Sequence, residues 1–119
     1  VAKPKKIKSF LLPILRRASM RWWAANQALA DARVSRGVYK CAGCGELFKR
    51  EQIHIDHIEP VIPVDGTFTD WNTFIERLFC PPEGFQILCI GCHESKTQLE
   101  NIARDANKSI KKLDKKKKK

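Results

Sequence analysis

The chain lacks any apolar run approaching the ~20 residues that span a bilayer, and its mean hydropathy is −0.39. A membrane-spanning helix is therefore not expected. The opening Val1-Ala2-Lys3-Pro4-Lys5-Lys6 is basic and leads into an amphipathic segment, with no solid apolar block, so no signal peptide is read there. Internal repeats are absent, and the only low-complexity stretch is the lysine run 115–119. Cysteine is scarce. Its count of five is odd, which argues against a disulfide framework in an intracellular chain. These absences point to the cytoplasm. At 119 residues the chain suits one domain with short extensions. A core that small is marginal, so a staple such as a structural metal is expected.

What the chain has is charge, unevenly placed. Of the formal net +10, residues 1–36 carry +8, residues 96–119 carry +7, and the middle carries −5. Basic flanks attract a polyanion by counterion release, whereas an acidic centre suits a hard cation. Arg16, Arg17, Arg21, Arg33 and Arg36 are candidate nucleic-acid contacts. The final lysines read as a solvated, disordered tail.

Residues 7–36 follow a helical pattern, with Phe10, Leu11, Ile14 and Leu15 on one face and Trp22, Trp23, Leu29 and Val34 extending the apolar supply. Ser9 is a possible cap and Pro13 a tolerated residue or a kink; Gly37 ends the helical region, and two helices or one bent helix both fit. Trp22, Trp23 and Trp71 read as core. Residues 39–45 form a small-residue knuckle, 53–58 alternate like a strand that stops at Pro60, and 85–88 form a second strand. Between the strands, 70–79 read as a short helix capped by Thr69 or Asp70. A last helix runs from His93 to about Leu113. The expected organisation is a basic helical arm (1–36), a metal-stapled domain (37–113) and a lysine tail (114–119).

Two constellations carry chemistry. Cys41-x2-Cys44 and Cys89-x2-Cys92 have the pairwise spacing from which zinc takes a tetrahedron of thiolates. With 44 residues between the pairs, the metal clips one long loop, where such a clip helps most. Cys80 stands outside both pairs and reads as a small buried residue. The second constellation is Asp56-His57 on the first strand with His93 just after the second cysteine pair. A carboxylate and an imidazole can hold a divalent ion on a phosphodiester, while a second, neutral imidazole takes a proton from the attacking water. Neighbours on a regular strand face opposite ways, so Asp56 and His57 meet at one site only where the strand ends or bulges. His54 reads as a surface or supporting histidine. Lys96, in the first turn of the last helix, suits a phosphate.

Residues 41–97, with C-x2-C, then Asp56-His57-Ile58-x-Pro60, then Gln86-Ile87-Leu88-Cys89-Ile90-Gly91-Cys92-His93-Glu94-Ser95-Lys96-Thr97, resemble the zinc-containing branch of the HNH (His-Asn-His) endonuclease family, and small bacteriophage members in particular. The resemblance implies an α+β, ββα-metal (His-Me finger) domain with structural zinc on Cys41, Cys44, Cys89 and Cys92. It implies His57 as general base and Asp56 with His93 holding a catalytic Mg2+, Mn2+ or Ni2+ ion. It further implies double-stranded DNA as substrate, 5′-phosphate and 3′-hydroxyl products, and the host cytoplasm if the chain is phage-encoded. One position departs from the family pattern: Gly84 stands where the middle Asn would brace the loop of the base. That departure keeps two rivals open, a zinc DNA-binding protein with weakened catalysis and a packaging accessory acting through a phage terminase or other packaging protein. Oligomeric state is not legible in the sequence.

Overall fold

Ala24, Ala25 and Ala28 recur at helical spacing, and side chains that short let a helix lie close against a sheet. In the computed structural model, which describes residues 4–117, these alanines belong to α2 (Trp23–Ala32), which follows α1 (Pro4–Ser19). Three strands of three residues come next: β1 (Arg33–Ser35), β2 (Val38–Lys40) and β3 (Leu47–Lys49), forming one antiparallel sheet in that order. A 3-10 turn leads into β4 (Ile53–His57); then come α3 (Trp71–Leu78), a second 3-10 turn (Pro82–Gly84), β5 (Phe85–Cys89) and the long α4 (Ile90–Lys117). β4 and β5 pair antiparallel, with Ile53 opposite Cys89, Asp56 opposite Gln86 and His57 opposite Phe85. The fold is α+β with two small antiparallel sheets. No helix among the described residues is long and apolar enough to cross a membrane.

The β4–β5 hairpin has two unlike faces. Ile55 and Phe85 pack on Ala24, Ala25 and Ala28 of α2. On the opposite face, Asp56 and His54 meet α4 through His93 and Lys96. A second cluster joins Cys41 to Leu88 and Cys89, and a third, around Val61, Phe74 and Leu78, seats α3 against Leu12 and Leu15 of α1. The Asp70 side chain accepts from the Thr73 N–H at 2.6 Å, which fixes where α3 begins. Further along α4, Arg104 and Asn107 donate to the carbonyls of Ile62 and Val64, tying the helix to the 58–66 loop.

The structure decides between alternatives that the sequence leaves open and departs from the sequence reading at other points. The N-terminal region is two helices, and α1 starts at Pro4, where a proline needs no N–H partner, so Ser9 lies inside the helix and does not cap it. Helix ends at Ala32. Arg33 and Val34 are strand residues, and Gly37, at φ 72°, makes the turn from β1 to β2. The expected boundary at 36/37 therefore falls within a hairpin, and α2 belongs to the core instead of forming an arm. Trp22 is half-buried with its indole N–H donating to the Cys80 carbonyl at 2.9 Å, whereas Trp23 is 57% exposed and not core. α4 begins three residues before His93 and continues to Lys117, beyond the expected end near Leu113. Lys118 and Lys119, part of the expected disordered tail, lie outside the described residues.

Candidate functional site

Four cysteines converge where the knuckle between β2 and β3 meets the junction of β5 and α4. One sulfur from each of Cys41, Cys44, Cys89 and Cys92 lies within 4.8 Å of all the others, and Cys44 and Cys89 are 4.0 Å apart. Thiolates at ~2.3 Å from one tetrahedral ion lie about 3.8 Å apart, so the spacing fits a bound metal. The local backbone is shaped for this. Gly45 takes φ 76°, and a Cβ on Gly43 would meet the Cys92 sulfur at 2.9 Å. The N–H groups of Gly43 and Cys89 both point at the Cys41 sulfur, at 3.3 and 3.2 Å.

Electrostatics also fit a cation. Burial pushes the Cys41 thiol up, but backbone N–H groups of Cys44, Cys89 and Gly43 outweigh it and bring its pKa down to about 6. Cys89 and Cys41, as close sulfur neighbours, push Cys92 up to about 12. Four sulfurs this close resist carrying four negative charges by themselves, and a dication removes that resistance. Among the described residues these four cysteines can hold a metal ion such as zinc. Cys80 takes no part; it is half-buried beside Gly84.

The second cluster lies on the α4 face of the hairpin. Asp56 Oδ1 faces His93 Nε2 at 3.8 Å. Its other oxygen, Oδ2, accepts from the Gln86 amide at 3.0 Å and pairs with Lys96 Nζ at 3.2 Å. Lys96 also pairs with Glu100 at 2.9 Å and donates to the His57 carbonyl at 3.1 Å. Burial pulls the Lys96 pKa down, but Glu100 and Asp56 outweigh it and hold the ammonium above its ordinary range. His54 stacks on His93 with ring centres 4.7 Å apart. A spacing of 3.8 Å is what two ligands on one ion can span, each contributing a bond of ~2.1 Å.

His57 is not in that cluster. Its ring lies against Phe85, with centres 4.6 Å apart, and its Nε2–H donates to the Leu78 carbonyl at the end of α3, at 2.8 Å. A carbonyl only accepts, so this contact places the proton on Nε2 and leaves Nδ1 as the accepting nitrogen. The ring lines a cleft of about 320 Å³ together with Glu59, Glu76, Cys80, Glu83 and Gly84. Regular alternation along β4 therefore holds through its last residue and sends Asp56 and His57 to opposite faces. Gly84 borders the same cleft. Its carbonyl accepts from the Ile58 N–H at 2.9 Å, bracing the residue after His57 through the main chain. A Cβ on Gly84 would meet the Cys80 sulfur at 2.5 Å. Glycine is what lets the second 3-10 turn close over Cys80.

No family model matches the chain, and no curated protein or solved structure does either. The case for a site therefore rests on the residues themselves. Of the positions singled out in sequence, the structure brings together the four cysteines, and it brings Asp56 to His93. It leaves His57 apart. Arg16, Arg17 and Arg21 are exposed around the end of α1, and Arg33 and Arg36 are exposed at the β1–β2 hairpin, with α2 between the two groups. Lys96, read in sequence as facing a phosphate, is instead engaged by Asp56 and Glu100. The orienting role of Gln86 escaped sequence reasoning. It could have been found by pairing the two strands, since Gln86 is the cross-strand partner of Asp56.

Proposed function

We propose that the protein is a metal-dependent DNA endonuclease of the HNH type, with zinc on Cys41, Cys44, Cys89 and Cys92 as its structural metal. One observation carries the reading: the two oxygens of Asp56 are divided, Oδ2 being held by Gln86 and Lys96 while Oδ1 is presented to His93. A carboxylate oriented from behind and aimed at an imidazole is how protein ligands are readied for an ion. Asp56 and His93 would hold Mg2+, Mn2+ or Ni2+, which supplies charge neutralisation at the scissile phosphate and on the leaving oxygen. His57, with Nε2 protonated by its bond to Leu78, offers Nδ1 as the base toward water. Arg16, Arg17, Arg21, Arg33 and Arg36 would grip the DNA backbone and release counterions, adding affinity with little sequence preference.

A second reading is favoured by a specific observation: the His57 ring is tied to α3, on the face away from Asp56 and His93. A zinc-held module that binds DNA without cutting it needs no convergence of these groups. A packaging accessory has less in its favour, because Trp22 is packed and hydrogen-bonded and so forms no joint exposed patch with Trp23.

Nicking of supercoiled plasmid separates these readings, with Mg2+, Mn2+, Ni2+ or EDTA present, beside His57→Ala, Asp56→Ala and His93→Ala. The endonuclease reading expects nicking with an added divalent ion and none with EDTA, and it expects each substitution to abolish nicking while zinc content stays constant. DNA retardation on a gel with no nicking under any ion would replace it with the binding module. Nicking that survives His57→Ala would remove that residue from the chemistry.

A further inference from the structure

α4 carries an apolar stripe that no other part of the described chain covers. Leu99, Ile102, Ile110 and Leu113 are 69, 65, 55 and 59% exposed, with exposed Ala106 between them. The face of α4 that meets the body is a different one, made by His93, Lys96, Arg104 and Asn107, which contact Asp56 or carbonyls of the 57–64 segment. At 100° per residue the stripe lies about a third of a turn away from that face. Four large apolar side chains in line on a projecting helix mark an interaction surface.

The order of these residues names the partner. From Leu99 the steps are three, four, four and three residues, and the residue types read Leu, Ile, Ala, Ile, Leu. The stripe is a palindrome centred on Ala106. The steps cover fourteen residues in four moves, which is the heptad average that keeps a seam on one side of a helix. A second copy laid antiparallel, with Ala106 against Ala106, sets Leu99 opposite Leu113 and Ile102 opposite Ile110 at every layer. Self-complementarity of this kind is the requirement of a twofold, isologous contact.

Charge selects the same orientation. Along α4, residues 94–105 carry Glu94, Glu100 and Asp105 beside Lys96 and Arg104, and residues 108–115 carry Lys108, Lys111, Lys112 and Lys115 beside Asp114. Antiparallel pairing sets the nearly neutral half of one helix against the basic half of the other, and a parallel pair would set lysine against lysine. The end of the stripe also opens onto a groove of about 710 Å³ between α4 and the cysteine knuckle, lined by Gly43, Leu88, Gly91 and Leu99 among others. In the antiparallel pair the partner's Leu113 arrives beside that groove.

We infer that the protein forms a twofold homodimer through antiparallel α4 helices, with Leu99, Ile102, Ala106, Ile110 and Leu113 as its seam. The inference stands apart from the nuclease reading, since it concerns the free protein without DNA. Sedimentation equilibrium of the metal-loaded full chain tests it, beside Leu99→Asp and Ile110→Asp. The expected result is a dimer that each substitution weakens by about tenfold or more, with far-ultraviolet circular dichroism and metal content unchanged. Orientation is read by oxidative cross-linking of variants with one added cysteine on the metal-loaded protein. Leu99→Cys mixed with Leu113→Cys gives a covalent dimer, and Leu99→Cys by itself gives none beyond the wild-type background. A monomer at every concentration overturns the inference, as does a dimer indifferent to both substitutions. Self-linking of Leu99→Cys overturns the antiparallel arrangement.

Discussion

The two faces of the β4–β5 hairpin are built from neighbouring residues and share almost no chemistry. Toward α2 the strands offer Ile55 and Phe85 to a row of alanines, and the contact is close and apolar. Toward α4 they offer His54, Asp56 and Gln86 to His93 and Lys96, and the contact is a chain of hydrogen bonds and ion pairs. The apolar face holds the molecule together, and the polar face keeps groups that are worth little to stability but can bind or react. His57 is the exception that links them. It is a polar residue on the apolar side, steadied by Phe85 and the Leu78 carbonyl.

The largest effect is expected where both faces end, at the cysteine cluster, because Cys89 closes β5 and Cys92 begins the first turns of α4. Structural zinc contributes on the order of 10–16 kcal/mol in small zinc-finger peptides, more than a chain of this size has in reserve. Chelation, or Cys89→Ala, should therefore abolish the cooperative thermal transition, and elemental analysis of the intact protein should find one metal per chain. A cooperative melt that survives chelation would mean that the two faces hold each other without the clip.

The next effect separates the faces directly. Phe85→Ala removes the ring that is 5% exposed between α2 and the hairpin, and should cost about 3–5 kcal/mol in urea unfolding. Gln86→Ala, one position along and on the polar face, should cost under about 1 kcal/mol. Equal losses of stability would erase the distinction between the faces.

How far the sequence foretold this division varies from residue to residue. The cysteine pairs, the strands at 53–57 and 85–89 and the helix capped by Asp70 are legible, because ligand spacing, alternation and capping are local signals. Strands of three residues, such as β1 and β3, are too short to display a period, so Arg33 and Val34 were absorbed into the preceding helical pattern. Asp56 and His93 were foreseen as a pair, and the structure sets them 3.8 Å apart. The placing of His57 was not foreseen, because its partner is the main-chain carbonyl of Leu78, and a carbonyl is present at every position whatever the side chain. The reason for Gly84 was equally hidden. Nothing in Cys80-Pro81-Pro82-Glu83-Gly84 shows that the turn folds the thiol back onto the glycine.

That contact gives a smaller but sharper test on the His57 side. A Cβ at position 84 meets the Cys80 sulfur at 2.5 Å and its Cβ at 3.0 Å, so rotating the thiol away relieves only part of the overlap. Gly84→Asn alone should therefore destabilise by about 1–3 kcal/mol. Combined with Cys80→Ala, much of that cost should disappear, since the shared contact makes the two substitutions non-additive. A full double-mutant cycle in urea measures the coupling. Additive costs would free Gly84 from Cys80.

The smallest effect concerns acid and reaches His57 through α3. The backbone N–H of Thr73 holds the Asp70 carboxyl below the ordinary carboxylate range. A depressed folded pKa contributes stability that is fully present above the unfolded value of ~3.9 and is lost as pH falls through the folded one. Acid should thus loosen the start of α3, the helix whose far end carries the carbonyl that His57 uses, before it touches the alanine contact of α2. Asp70→Asn keeps a good capping side chain but removes the titration, so it should flatten this part of the acid limb and leave stability at neutral pH nearly unchanged. Hydrogen exchange at Thr73 and Phe74, followed between pH 5 and pH 3, gives the local readout. If the acid response there is the same in both proteins, the weakness lies in another carboxylate, and Asp65, held low by the Thr67 side chain and N–H, is the next to test.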